Sequence, residues 1–204
     1  TGLYLAYAQA LSGTCANLTT YLTPFLDTLA PDSEESRVRL TLKTILNCVD
    51  LIGSPDLVLS VDDRLGKAYH QDPDLTDLLE KSAASMGYRN QRKDAIPLYR
   101  RVLDRDPDRP GWLNAYELIL VQEGSQEAGR LLTDLQARAT SVVVRAAVEG
   151  KTAERKGRHK AAIAGYEKSL ASNPEQPRLR QFLFDNYLQI GRVEEAWNVA
   201  EWME

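Results

Sequence analysis

The side chains that most often perform chemistry in proteins are few in this sequence and far apart. Its two histidines, His70 and His159, lie in unrelated contexts, so neither a histidine metal site nor a catalytic triad is predicted. The two cysteines, Cys15 and Cys48, are too far apart in sequence for a CxxC motif. The sequence also has no glycine-rich phosphate-binding motif. We therefore predict no catalytic residue, no metal and no cofactor.

Two clusters of charged residues are the remaining candidates for chemistry. Asp62 and Asp63 are adjacent on a predicted helix, which favours a solvated helix face over a catalytic carboxylate pair. A basic cluster surrounds the predicted end of one helix and the start of the next: Lys151, Arg155, Lys156, Arg158 and Lys160. We interpret it as a solvated helix end, with a site for an anion or an acidic partner as the alternative.

Overall charge and hydropathy narrow the class of partner. The formal net charge is −4 over 204 residues, whereas nucleic-acid-binding domains usually present a strongly basic face. No run of about 18 apolar residues occurs, so no segment is predicted to span a membrane. The first residues lack the positively charged start of a signal peptide. These features favour a protein or peptide partner over nucleic acid or a membrane.

Apolar periodicity and helix-breaking residues place these side chains on helices throughout the chain. The expected helices cover 3–12, 14–29, 33–52, 55–70, 76–88, 91–105, 110–123, 125–138, 143–156, 159–172, 177–190 and 193–204. The last of them has an apolar face that includes Trp197 and Trp202, with no polar cap after it. The predicted fold class is therefore all-α.

Two short patterns recur within these helices. A glycine followed five residues later by an alanine occurs twice at a separation of 34 residues, as Gly157 with Ala162 and as Gly191 with Ala196. A second pattern spaces its residues by four: Ala162, Tyr166, Leu170 and Pro174, and earlier Ala95, Tyr99, Leu103 and Pro107. The alanine lets two helices cross closely, and the tyrosine fills the gap toward the next helix. The glycine ends a first helix in the left-handed conformation, and the proline stops the second helix.

This period and these positions resemble the tetratricopeptide repeat, a unit of two antiparallel helices. The resemblance implies an α-solenoid of about six antiparallel helix pairs, coiled as a right-handed superhelix. Residues 1–75 match only in general style and are expected to be degenerate N-terminal repeats. The remainder, 76–204, matches well and divides into units over 76–109, 110–142, 143–176 and 177–204. Because terminal repeats usually need a polar outer face, we expect this chain to be a fragment of a longer protein.

The resemblance also implies a binding surface. In tetratricopeptide repeats the first helix of each pair lines a concave groove, and fixed positions of that helix point inward. Those positions select ten residues of this sequence: Glu80, Tyr88, Asn114, Gln122, Lys151, Arg155, Arg178, Gln181, Asp185 and Gln189. The lysine–asparagine clamp by which chaperone-binding members grip C-terminal carboxylates is absent from them. The groove is therefore predicted to hold an extended or helical segment of a partner protein.

Three functions are compatible with this surface. The first is a protein-interaction scaffold. The second is a periplasmic module of a bacterial exopolysaccharide export or envelope assembly system, in which polysaccharide would also be a ligand. The third is the non-catalytic repeat domain of a larger enzyme such as a glycosyltransferase. The sequence fits a cytoplasmic location and a periplasmic location equally.

Cysteine placement bears on the compartment. Cys15 and Cys48 are equidistant from the predicted turn over 30–33, and each lies on the apolar stripe of its helix. Facing Cα atoms of two packed helices can approach to roughly 5 Å, inside the disulfide range of about 4.4–6.8 Å. Either a disulfide or two buried free thiols fits this placement. The disulfide would argue for periplasmic or extracellular residence.

Overall fold

The fold is given by a computed structural model that describes residues 10, 12, 35–52, 55–66, 69, 72–88 and 91–202. Helices dominate these residues, and no strand occurs among them. The all-α prediction is therefore confirmed. The two earliest predicted helices, 3–12 and 14–29, fall almost wholly outside the described residues.

Ten helices follow one another in the described part of the chain. They are α1 (Glu35–Ile52), α2 (Pro55–Leu65), α3 (Pro73–Tyr88), α4 (Arg92–Arg105), α5 (Trp112–Gln122), α6 (Ser125–Arg138), α7 (Val142–Arg155), α8 (His159–Ser172), α9 (Pro177–Gln189) and α10 (Val193–Ala200). Helices α6 and α8 coincide with their predicted ranges. Helix α2 is shorter than predicted because it ends before Gly66, a residue that costs a helix more backbone entropy than any other.

The chain forms two compact units. Unit 1 contains the described residues up to Asp106 together with Gly111–Leu118, and unit 2 contains Pro107–Pro110 together with the residues from Ile119 onward. Helix α5 begins in unit 1 and ends in unit 2. The predicted division between residues 75 and 76, and the four repeat boundaries, remain predictions.

Unit 1 is built around α3, which packs against α4, α1 and α2. Its core is aliphatic, with Leu42, Ile45, Leu78 and Leu98 fully buried. Tyr99 joins them at 1% exposure, as expected for a residue that fills the space beside a helix crossing. Apolar burial of this extent supplies the main stabilisation of such a unit.

The interpretation of the acidic pair in unit 1 as a solvated face is wrong for Asp62, which is only 4% exposed. Its carboxylate accepts hydrogen bonds from Arg101 and Arg105 of α4. The hydrogen bond that Arg101 donates to Asp62 is the main reason that the pKa of Arg101 is raised. Successive helical residues point in directions about 100° apart, so Asp63 remains exposed while Asp62 faces α4. A carboxylate can be buried here because two guanidinium groups compensate its charge.

Helices α7 and α8 of unit 2 cross at close range. A Cβ added at Gly165 would lie 2.6 Å from the backbone nitrogen of Gly150 and 2.8 Å from the carbonyl oxygen of Ala146. A Cβ at Gly150 would in turn lie 2.7 Å from the Tyr166 ring. The predicted small residue at this crossing, Ala162, is fully buried. The two helices are therefore in direct backbone contact.

The prediction that two glycines end helices in unit 2 is confirmed. Gly157 and Gly191 have φ values of 66° and 75°, in the left-handed region. The residue after each glycine closes the helix end: Arg158 N donates to Ala153 O at 3.0 Å, and Arg192 N donates to Tyr187 O at 2.9 Å. These two bonds are 34 residues apart and have the six-residue closure of the Schellman motif.

The last helix, α10, presents its apolar face outward. Ala196 is fully buried, but Trp197 is 66% exposed, and Val193 and Trp202 are also exposed. Arg180 of α9 lies against Trp202, with the guanidinium carbon 5.0 Å from the ring centroid. Tyr166, which is expected to fill the space beside a helix crossing, is fully buried, unlike Trp197. Of these two aromatic residues, only Tyr166 therefore belongs to the interior.

Candidate functional site

Three of the predicted groove residues lie in unit 1. Glu80 is half-buried on α3, and its Oε1 accepts a hydrogen bond of 3.0 Å from the backbone N–H of Gly111. Asn114 is half-buried on α5. Tyr88 is the last residue of α3, and its side chain lies outside the described residues. The carboxylate of Glu80 thus holds the segment that precedes α5.

Lys151 of unit 2 faces the interior. It is 7% exposed, and its Nζ donates to Glu154 Oε1 at 2.7 Å. The same Nζ lies 3.6 Å from the centroid of the Phe182 ring on α9. An ion pair and a cation–π contact together offset the cost of burying an ammonium group. Little of Lys151 is therefore available to a partner, and its role in the groove stays a prediction.

Glu154 connects three helices. Its Oε2 accepts from Tyr166 OH on α8 at 2.6 Å and from Asn186 Nδ2 on α9 at 3.0 Å. The Asn186 Oδ1 in turn lies 2.9 Å from His159 Nδ1. No pattern in the sequence indicated this network, because its members are up to 32 residues apart. It forms a polar network inside unit 2 whose members are hydrogen-bonded to one another.

A line of polar side chains runs along α9. Arg178, Gln181, Asp185 and Gln189 are exposed, and Gln181 Nε2 donates to Asp185 Oδ1 at 3.1 Å. Residues at these intervals of three and four lie on one side of a helix. The opposite side of α9 is buried in unit 2 through Leu179, Leu183 and Tyr187. We call these four exposed residues the α9 stripe.

The two remaining predicted groove residues lie close to the start of helix α6 in unit 2. Gln122 is half-buried at the end of α5, and Arg155 is exposed at the end of α7. The Nη2 of Arg155 donates to the backbone oxygen of Ser125 at 2.7 Å and to its Oγ at 2.9 Å. Beside this contact a cleft of about 710 Å³ lies between α6 and α7. The grouping of the predicted groove residues into one concave surface stays a prediction.

Two further side chains of unit 2 have shifted pKa values. Burial, and then a hydrogen bond to Glu167, raises the pKa of Tyr187 to about 12. Partial burial acts to raise the pKa of Asp108, but hydrogen bonds from Thr140 and Ser141 outweigh it and hold the pKa below its ordinary value. The hydrogen bonds of Tyr187 therefore connect α9 with α8, and those of Asp108 connect its loop with the residues that precede α7.

Cys48 is buried on α1 and takes part in a disulfide bond. Its expected partner, Cys15, lies outside the described residues, so the pairing of these two cysteines stays a prediction. Within the described ranges no group of three histidine, cysteine or acidic side chains could hold a metal ion. The helices of those ranges are all too short or too polar to cross a membrane.

Comparison with known proteins shows similarity to one part of a curated protein and to solved structures of helical-repeat proteins. No protein-family model matches the chain. Over 116 residues it is 34% identical to cellulose synthase operon protein C of Pseudomonas fluorescens (strain SBW25), a match that covers 52% of this chain and 9% of that protein. This chain therefore spans only a small part of that relative's length.

Among solved structures, a tetratricopeptide repeat protein from Parabacteroides merdae ATCC 43184 matches 98% of this chain and 76% of its own, with 13% identity and a TM-score of 0.54. The MamA protein matches 81% of this chain and 90% of its own, with 19% identity and a TM-score of 0.48. The first likeness confirms the predicted fold of tetratricopeptide-like helical repeats.

Proposed function

We propose that this tetratricopeptide-like chain is a non-catalytic protein-interaction scaffold that holds a segment of a partner protein on the α9 stripe. The observation that carries the proposal is the stripe itself. Four residues that the resemblance assigns to the concave groove, from Arg178 to Gln189, are exposed along one side of a helix whose other side is buried. A partner can therefore reach them without any part of unit 2 opening.

The dimensions and charges of the stripe suit a polar peptide segment. Eleven residues separate Arg178 from Gln189, a rise of about 16 Å along the helix. An extended peptide covers that distance with about five residues. The stripe offers one cation, two amides and one carboxylate, so a segment with matching charges would be held in a defined register. Partner specificity would come from that register.

A quantitative pull-down tests the proposal. Bait carrying Arg178→Ala, Gln181→Ala and Asp185→Ala is compared with wild-type bait against extract of the organism that carries the gene. The matched control carries Lys168→Ala, Gln136→Ala and Glu175→Ala, which replace one cation, one amide and one carboxylate at other exposed positions of unit 2. We expect the stripe variant to lose a protein that the wild type and the control retain. Equal recovery by all three baits would refute the stripe as the contact surface.

A second candidate function is a module of bacterial exopolysaccharide export or envelope assembly. The similarity to cellulose synthase operon protein C supports it, as does the disulfide at Cys48, because such bonds persist mainly in oxidising compartments. Affinity electrophoresis in gels containing hydroxyethyl cellulose tests direct contact with the polymer. Retardation of the chain, relative to an unrelated protein of similar charge, would favour this function. The third function, a repeat domain of a larger enzyme, requires an adjoining catalytic sequence in the full gene product.

A further inference from the structure

We infer that the cleft between α6 and α7 binds an acidic peptide segment of a partner protein through Arg155 and Lys156. The inference rests on the proposed scaffold function. It adds to unit 2 a second contact site, made of residues that the α9 stripe does not include.

The size and lining of the cleft fit a peptide. Its volume of about 710 Å³ lies within the range of about 300–1,000 Å³ that is usual for ligand sites. The lining combines Leu132 and Ala137, which offer apolar contact, with Gln126 and Thr133, which can hydrogen-bond to amide groups. Such a mixture suits a peptide backbone with its attached side chains better than a single small ion.

The net charge of the cleft is positive. Apart from Arg155 and Lys156, four charged side chains line it or pair beside it: Arg130 with Glu127, and Asp134 with Arg138 at 2.8 Å. Because these four residues form two ion pairs, their charges largely offset each other. Counted as formal charges of the side chains at the cleft, Arg155 and Lys156 are then the excess of basic over acidic groups, and the exposed Arg158 and Lys160 follow them in the chain.

Arg155 is held in position at the wall of the cleft. Its two hydrogen bonds to Ser125 tie the guanidinium to the start of α6. Gly129 lies beside it in mid-helix, and a Cβ there would come within 3.2 Å of Nη2. A glycine in a helix interior costs roughly 0.5–1 kcal/mol relative to alanine. The space that this glycine leaves lets the guanidinium lie against α6, and a pre-positioned guanidinium binds a carboxylate with less loss of entropy.

Fluorescence anisotropy with a short labelled poly-glutamate peptide tests the inference. We expect the wild type to bind this probe and to ignore a labelled glycine–serine peptide. Arg155→Glu combined with Lys156→Glu should weaken binding by about 100-fold, which corresponds to roughly a tenfold loss for each charge contact. The matched control, Arg158→Glu with Lys160→Glu, changes the net charge equally outside the lining of the cleft. It should weaken binding clearly less than the cleft variant, by about tenfold at most, because neither side chain lines the cleft and neither can make direct charge contact there.

Several outcomes would overturn the inference. Absence of poly-glutamate binding by the wild type is one, and an equal loss in both double variants, which would indicate non-specific attraction, is another. A preference for polygalacturonate over poly-glutamate would assign the cleft to an anionic polysaccharide instead. Circular dichroism and thermal unfolding of each variant establish that it is folded. Because no stripe residue is altered, loss of the cleft site would leave the pull-down result for the α9 stripe unaffected.

Discussion

The close contact between α7 and α8 predicts that Gly165→Ala lowers the stability of the chain. The new Cβ would lie 2.6–2.8 Å from three backbone atoms of α7, whereas carbon atoms in contact normally stand about 3.5–4.0 Å apart. The helices would have to separate by about 0.8 Å, and a gap of that size forfeits a quarter to a half of each dispersion contact along the crossing. Backbone atoms cannot swing aside as the end of a side chain can.

The magnitude follows from two opposing contributions. Overpacking a close contact costs about 1–3 kcal/mol, while replacing a helical glycine by alanine returns roughly 0.5–1 kcal/mol. We therefore expect Gly165→Ala to lower the free energy of unfolding by about 1–2 kcal/mol. Gly129→Ala is the matched control in the same unit, because its new Cβ meets no backbone atom and only the guanidinium of Arg155, at 3.2 Å from Nη2. The control should leave the free energy unchanged or raise it by up to about 1 kcal/mol.

Guanidinium unfolding followed by far-ultraviolet circular dichroism measures both variants. Hydrogen exchange of peptides from α7 and α8 locates the effect, since protection should fall in those two helices first for Gly165→Ala. If Gly165→Ala stabilises the chain as much as Gly129→Ala does, the backbone contact between the two helices is not present in solution and the reasoning fails.

Three further predictions concern buried and exposed charges and aromatic rings. Asp62→Ala should destabilise the chain by about 3–5 kcal/mol because it leaves buried arginine charge uncompensated, whereas Asp63→Ala should cost less than about 1 kcal/mol in the same denaturant titration. Tyr166→Ala should cost about 3–5 kcal/mol, and Trp197→Ala should lie within about 0.5 kcal/mol of wild type; equal losses would show that α10 buries its tryptophan. The lowered pKa of Asp108 means that its carboxylate stabilises the folded chain near neutral pH and that this stabilisation is lost as the pH falls below about 4. Thermal unfolding of Asp108→Ala should therefore start lower than wild type at neutral pH and converge with it in acid, and a constant difference would contradict the assignment.

The helix ends of unit 2 could be predicted from the sequence because they are set locally. Gly157 and Gly191 adopt the left-handed conformation whatever lies opposite them, and Pro174 follows the end of α8 by two residues. Such features depend on the conformational range of single residues. The period of 34 residues then placed α7 to α10 within a few residues of their ends.

The partners of individual side chains could not be predicted in this way. Periodicity assigns a residue to a face of a helix, but it does not say which groups the neighbouring helix places opposite. The sequence predicted that Asp62 and Lys151 would be exposed to solvent. Both are buried, because Arg105 lies opposite Asp62 and Phe182 lies opposite Lys151. Trp197 shows the converse, since an apolar residue of an amphipathic helix is exposed where no described helix covers it.

The candidate site was predicted unevenly for the same reason. The resemblance selected the α9 stripe as a set, and its four members are exposed together. It also selected Arg155, but it gave no indication of the cleft, which depends on Gly129 and on the side chains of a neighbouring helix. The helical glycines Gly150 and Gly165 carried a usable signal, because a glycine inside a predicted helix often marks a close approach of another backbone.

The carboxylate of Glu154 has a consequence for how unit 2 unfolds. Its Oε2 accepts one hydrogen bond from Tyr166 in its own helix pair, α7–α8, and another from Asn186 in the next pair, α9–α10. In a linear repeat array, the free energy of unfolding is the sum of the intrinsic stability of each repeat and the interaction energy between neighbouring repeats. This oxygen contributes to both, because one of its hydrogen bonds lies within a pair and the other lies between pairs. Losing the α9–α10 pair would leave part of the carboxylate's hydrogen-bonding capacity unmet in the pair before it. The two pairs are thus thermodynamically coupled, and we expect the α7–α8 pair to lose stability when the α9–α10 pair unfolds.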